Sequence, residues 1–337
     1  MTHRFPIKEI ARQAGLGTAT VDRVLNNRPH VSPQSRKRVE TALRELMVQE
    51  AQLAAQGRRV FLDVLAEAPK RFSREIQRAA ESALLSFPAA TIRVRFQFHE
   101  IMSEADTLNA LERIAKRGSN GICLKARDTP AVRAMIEAVT QANIPVFTLV
   151  TDLPGSARKG YFGLDNAKAG RIAAYLIAQS LPDGAATILT SRSQDSFRGE
   201  TDRFTAFRNQ ITAQKPHVQF MDASGGAGMT AATGRSLDRM LAQGRPVSAV
   251  YSIGGGNTAI LRKLAEFRQK PIVYVAHDLD RENRYLLANG TINYILHHDL
   301  SQDMRKLFQM ACDLSSNPTG PECAQSSDIQ IITPYNL

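Results

Sequence analysis

A glycine-rich turn, a histidine pair and three cysteines are the residues in this chain whose types and spacing first suggest chemistry. Gly254–Ala259 reads GGGNTA. That matches the G-x-G-x-x-A turn of dinucleotide sites, where glycines let backbone N–H groups approach a pyrophosphate. It supports a nicotinamide-dependent oxidoreductase as an alternative reading, but it falls late in the chain, after several strand–helix units. His297 and His298 are adjacent. Neighbours on a strand face opposite ways, so the pair does not readily chelate one ion. Cys123, Cys312 and Cys323 are odd in number and show no metal-ligand spacing, which predicts reduced thiols. Cys123, in the apolar run GICLKA, reads as a core residue. No Ser/His/Asp or Cys/His set is placed for nucleophilic catalysis. The expectation is therefore no metal, no cofactor and no enzyme.

The elements that would position any site alternate regularly from Val60 onward. VFLDVLAEA, ATIRVRFQFHE, NGICLKA and PVFTLVTD read as strands separated by helices. After the loop LPGSARKGYFG the pattern resumes, with strands AATILTS, VQFMDA, AVYSI, IVYVAHD, INYILHHD and IQIITPY. This βα repeat predicts doubly wound parallel sheets, and the number of units requires two lobes. A cleft at the carboxyl ends of two such sheets is the natural small-molecule site. The expected body is residues 60–337, with lobe one at 60–160 plus 291–325 and lobe two at 161–290 plus 326–337.

The first 59 residues have a different texture. Ile7, Ile10, Ala11 and Ala14 lie on one helical face, and Gly15 follows as a stop. A second helix starts at Thr18 and runs through Val21 and Val24 to about Leu25. Helix, short glycine turn and helix make a helix-turn-helix unit, whose second helix enters the DNA major groove. Ser32 and Pro33 start a third helix that carries Val39, Ala42, Leu43 and Leu46 on one face. Residues 1–47 are the expected head and the Ala/Gln-rich segment 48–59 the linker. The fold class is thus α/β, a helix-turn-helix head before a two-lobed doubly wound domain. Composition agrees. Of the +11 net charge, the first 59 residues hold eleven Lys/Arg against five Asp/Glu, a concentration suited to a polyanion. Hydrophobic content of 43% and charged content of 22% are ordinary for a globular protein. MTHRFPIKEI has no apolar signal region and no run is long enough for a membrane span, so a cytoplasmic protein without membrane contact is expected.

IARQAGLGTATVDRVLNNRPHVS, followed by a helix ending ALREL, resembles the lactose/galactose repressor family of bacterial transcription regulators. The βα body is similar to that family's effector domain, which resembles periplasmic sugar-binding proteins. The resemblance implies a homodimeric regulator, a repressor, reading two half-sites of operator DNA under control of a small sugar or polyol. It places Thr18, Ala19 and Arg23 against base edges and Thr20, Asn26 and His30 near the DNA backbone. Gly17 and Asp22 stand where serines are usual, and a local salt bridge is expected to absorb the Asp22 charge. Leu53 falls on an apolar position of the family's minor-groove hinge, whereas Gln56 and Gly57 occupy the wedge region. In the cleft, the resemblance implies effector contacts from Phe72, Asp152, Arg198, Asn257, Asp278 and His298. Asp165 and Asn166 are expected to cap a helix.

Overall fold

The head consists of α1 (Ile7–Ala14), α2 (Thr18–Leu25) and α3 (Pro33–Ala55). Gly15 ends α1 in the left-handed region, at φ 60° and ψ 40°, and its N–H donates to the Ala11 and Arg12 carbonyls. A Cβ at Gly15 would lie 2.6 Å from the Arg38 guanidinium, which itself donates to the Gly15 carbonyl at 3.1 Å. Ile10, Ala11, Val21, Val24, Val39, Ala42 and Leu46 close the core between the three helices. Ser32 Oγ accepts from the Ser35 N–H at 3.1 Å and caps α3. The helix does not stop near Met47. It runs on to Ala55, because VQEAQLAA holds good helix formers and no glycine or proline. Much of the expected linker is thus a continuation of α3.

A computed structural model describes residues 4–55, 59–87, 91–194, 196–316 and 323–337, without the side chains of 49–55, 230, 315–316 and 323–325. Leu53's side chain, and Gln56 and Gly57 entirely, lie outside the described residues. The chain up to Val60 forms one compact unit, and most of the residues beyond Val60 form a second.

The body opens with β1 (Arg59–Glu67), α4 (Lys70–Leu84), β2 (Thr91–His99), α5 (Glu104–Arg117), β3 (Gly121–Lys125), α6 (Pro130–Gln141), β4 (Val146–Leu149) and β5 (Gly160–Leu164). It continues with α7 (Asn166–Ser180), β6 (Ala186–Ser191), α8 (Arg198–Gln214), β7 (Val218–Asp222), α9 (Thr230–Leu241), β8 (Ala249–Ser252), α10 (Asn257–Glu266), β9 (Val273–His277), α11 (Arg281–Ala288) and β10 (Tyr294–His297). It closes with α12 (Leu300–Ser316), β11 (Cys323–Ser327) and β12 (Gln330–Ile332).

Two six-stranded sheets result, ordered β11-β5-β4-β3-β1-β2 and β12-β10-β9-β8-β6-β7. Apart from the antiparallel β10–β12 pair, the described registers are parallel. Each strand order reverses once, between β1 and β3 in one sheet and between β6 and β8 in the other. These are the switch points that open a crevice at the carboxyl ends. Strand cores such as Ile122, Cys123 and Leu124, or Val273 and Val275, are fully buried because helices cover both faces.

Three lobe boundaries differ from the sequence expectation. GYFGL, read as loop, is β5 of the first sheet, so the first crossover follows Leu164. INYILHHD supplies β10 to the second sheet, so the second crossover follows β10. CAQSS forms an unexpected edge strand, β11. Short segments rich in glycine or small polar residues carry little periodic signal, and their pairing is decided by neighbouring strands.

Candidate DNA interface and effector cleft

Val21 and Val24 anchor α2 on the head core, which turns the opposite face outward. Thr18, Ala19, Arg23 and Asn26 are exposed there, Thr20 is half-buried, and His30 is exposed in the following loop at φ 65°. Gly17 offers no side-chain cap to α2. Asp22 is half-buried on the outward side of α2 and pairs with Arg28 at 3.2 Å. Asn26 Nδ2 donates to Asp22 Oδ1 at 2.8 Å and to the Asp22 carbonyl at 3.0 Å. Both amide hydrogens of Asn26 are therefore engaged, and its free side-chain atom is an acceptor, which a phosphate repels. Arg28, which sequence reasoning passed over, is the cation at this position. The signal was the six-residue spacing from Asp22 across a helix end.

In the body, a cleft forms where the carboxyl ends of the two sheets face each other. Its cavity volume is small, about 40 Å³. One wall carries Phe72 at the start of α4, Lys125 at the end of β3 and Thr151 after β4. The other carries Phe197 and Arg203 around α8, Gly255 after β8, and His277 and Asp278 at the end of β9. Several contacts among the described residues bridge the lobes directly. Arg71 Nη1 pairs with Asp280 Oδ2 at 2.7 Å, Gly199 N–H donates to Thr151 Oγ1 at 3.0 Å, and Asp128 N–H donates to the Ser196 carbonyl at 3.0 Å.

The cleft's polar atoms are unevenly satisfied. Lys125 is 7% exposed and Arg203 3%. The Lys125 ammonium donates to the Glu67 carbonyl at 2.7 Å and stands 3.7 Å from the centre of the Phe197 ring. Burial pushes it down to about 8, against an upward pull from Glu200, Glu67 and Asp278. Arg203 Nε donates to Asn166 Oδ1 at 2.7 Å. Among the described residues neither cation has an ion-pair partner. Glu200 accepts from the Ser193 N–H at 2.6 Å and from its hydroxyl at 2.5 Å. Asp278 Oδ1 and His277 Nδ1 are buried without a partner. Burial, then the nearby Arg203 and His298, hold the His277 imidazole well below its usual range, so it is neutral, with Tyr251 OH 2.9 Å from Nε2.

Of the residues expected here, Phe72 and Asp278 line the cleft. Asp152 does not. Arg158 grips its carboxylate at 2.5 and 2.8 Å, and Thr148 and the Leu153 N–H complete its shell, so its neighbour Thr151 faces the cleft instead. Arg198 is a surface residue paired with Asp202, one helical turn on. The α8 arginine in the cleft is Arg203, five residues along the helix and on another face. Asn257 is buried among Asn283 and Tyr274, at 2.6 and 3.0 Å. His298 is fully buried beside the cleft lining, with Nδ1 2.7 Å from Asp303 Oδ2 and Nε2 unpartnered. Asp303 also accepts from Ser327 Oγ. Asp165 caps α7 through the Lys168 N–H at 2.8 Å. Asn166 does more than cap, joining Tyr161 OH at 3.0 Å to Arg203.

Residues 67–318, most of the chain, match the periplasmic binding protein domain family. The chain belongs to that family. Residues 6–47 match the lacI family of bacterial regulatory proteins, so this periplasmic binding protein domain carries a lacI-type helix-turn-helix head. The head is 49% identical over 45 residues to the HTH-type transcriptional regulator TreR of Salmonella typhimurium, a match covering 13% of this chain and 14% of that protein. The body resembles the glucose-galactose binding protein GanP from Geobacillus stearothermophilus, with TM-score 0.72 and 17% identity over 82% of this chain and 98% of that one. It also resembles an ABC transporter solute binding protein from Burkholderia graminis in complex with D-arabinose, with TM-score 0.73 and 17% identity over 82% and 96%. At such identities the likeness establishes the fold.

Within that fold the GGGNTA turn has an internal use. A Cβ on Gly254 would lie 2.1 Å from the Ser193 nitrogen, and one on Gly255 1.8 Å from Arg71 Nη2. Gly255 and Gly256 adopt φ 86° and 80°, so the turn needs glycine for its backbone conformation and for the close approach of Ser193 and Arg71. Among the described residues, no group of His, Cys, Asp or Glu could hold a metal ion. No helix there is long and apolar enough to cross a membrane.

Proposed function

We propose that this protein is a DNA-binding transcription repressor whose operator affinity is set by a small sugar or polyol in the interlobe cleft, and that it has no enzymatic role. The observation that carries this reading is the cleft's mixture of unsatisfied atoms. Buried polar groups without partners are costly, and here the unpartnered Asp278 Oδ1 and His277 Nδ1 face the same space as the buried cations Lys125 and Arg203. A ligand rich in hydroxyls supplies both kinds of partner at once, and Phe72 offers a ring face beside them. The fold is shared with a protein named for glucose and galactose binding and with a solute binding protein solved in complex with D-arabinose. In the head, the outward Thr18, Ala19 and Arg23 present hydroxyl, methyl and guanidinium groups of the kinds that read bases in the major groove.

The mechanism is a population shift. The lobes meet through Arg71–Asp280, Thr151–Gly199 and Asp128–Ser196. A ligand that completes the cleft's hydrogen bonds favours the closed arrangement, and DNA affinity changes to the extent that the two arrangements hold DNA differently. A homodimer in the cytoplasm would bring two heads to a near-palindromic site. The test has two arms. A melting-temperature screen of the full-length protein with monosaccharides and polyols should give stabilising ligands, and selection from randomised duplex DNA should give a two-half-site consensus that Arg23→Ala weakens. Finding that no sugar stabilises the protein overturns the effector assignment. Recovery of no consensus overturns the DNA assignment.

A further inference from the structure

We propose that Asp22 and Arg28 act together to read one G·C base pair in each operator half-site, an inference that rests on the DNA reading above. Asp22 is half-buried on the outward side of α2, beside the exposed Thr18, Ala19, Arg23 and Asn26. A carboxylate there faces a polyanion and should be strongly disfavoured unless its charge is matched. Arg28, held near the helix end by its N–H bond to the Arg23 carbonyl at 2.8 Å, matches it. The Arg28 Nη1 to Asp22 Oδ2 distance is 3.2 Å, with the side chains 61% and 34% exposed. Asn26 fixes the other carboxylate oxygen from behind.

A neutral pair gains little from phosphate charge, so its value to DNA binding has to come from directional hydrogen bonds. It presents N–H donors from Arg28 and remaining carboxylate lone pairs from Asp22, about 3 Å apart. In the major groove a G·C pair presents the complementary set, with guanine O6 and N7 as acceptors and the cytosine N4 amino group as donor. Guanine O6 and cytosine N4 are themselves hydrogen-bonded, hence roughly 2.9 Å apart. Arg28 donating to guanine while Asp22 accepts from cytosine therefore fits one base pair without breaking the protein's own ion pair. An A·T pair reverses this pattern, offering the adenine amino donor to Arg28 and the thymine carbonyl to Asp22, and a T·A pair keeps the central acceptor–donor order but puts the thymine methyl where guanine N7 would take a second bond from Arg28.

The test uses the full-length protein and the duplex recovered by in vitro selection with the wild type. Arg28→Ala and Asp22→Ala should each lower the preference for G·C at one symmetric position by about tenfold or more, leaving the rest of the consensus and the melting temperature unchanged. The double variant should lose no more discrimination than either single variant, because the two groups act as a unit. The inference is overturned if both variants recover the wild-type consensus. It is equally overturned if Arg28→Ala weakens all duplexes alike with a salt slope reduced by roughly 1, the mark of a phosphate contact. A wild-type protein that selects no consensus removes the DNA reading itself, and this inference with it.

Discussion

Replacing Lys125 by methionine should make the protein more stable at pH 7 while removing its response to sugar. The substitution keeps the apolar stem and removes a buried ammonium. Burial lowers that group from its ordinary 10.5 to about 8, a drop that costs the charged form about 3 kcal/mol. The hydrogen bond to the Glu67 carbonyl and the Phe197 ring contact each return on the order of 1 kcal/mol. The net gain from Lys125→Met is then about 1–2 kcal/mol. Its pH dependence fixes the cause. The folded-state value lies below the unfolded one, so between pH 8 and 10.5 the unfolded chain binds the extra proton and wild-type stability rises with pH. The variant's advantage should be full below pH 8 and fade toward pH 10.5. Urea unfolding of both proteins at several pH values reads the difference, in which groups common to both cancel. A variant less stable than wild type at pH 7 would refute the reasoning, because it would mean that the carbonyl and ring contacts of the ammonium outweigh the cost of burying it.

Two further outcomes concern the cleft geometry. Arg203→Ala and Asp278→Ala should each abolish the sugar-induced rise in melting temperature, whereas Arg198→Ala, on the surface with Asp202, should leave it intact. Gly255→Ala forces a side chain into φ 86° and onto Arg71 Nη2. It should cost about 1–2 kcal/mol from the left-handed backbone and displace Arg71 from Asp280, measurable as a lower melting temperature and a larger radius of gyration.

The first two helices of the head and the start of the third were legible in the sequence, because their signals are local: a glycine stop after Ala14, apolar spacing through Val21 and Val24, and a serine cap before Pro33, whereas the end of the third helix, eight residues past Met47, was not. The βα body was legible as a class for the same reason. Asp22 shows local reading at its best, since its expected salt bridge forms, with Arg28. The cleft was legible only in part. Choosing Arg203 over Arg198 requires knowing which face of α8 turns inward. That face is fixed by a long-range contact, the close approach of Gly170 on α7, where a Cβ would lie 2.1 Å from the Arg203 carbonyl. Asp152 and Asn257 stood at plausible strand ends, but Arg158 in one case and Asn283 with Tyr274 in the other had already engaged them. The short strand β5 and the edge strand β11 lack an apolar period, and only their neighbours make them strands.

The central claim, that one ligand in the cleft and one duplex on the head bias the same equilibrium, is tested most directly by measuring each affinity with and without the other partner. The full-length protein would be titrated with its selected duplex in the absence and presence of a monosaccharide that raises its melting temperature, and then with that monosaccharide in the absence and presence of saturating duplex. The account predicts that the two affinities change by the same factor, with DNA binding weaker when sugar is bound if the sugar is an inducer and tighter if it is a corepressor. A sugar that binds the cleft tightly while operator affinity stays the same would contradict it.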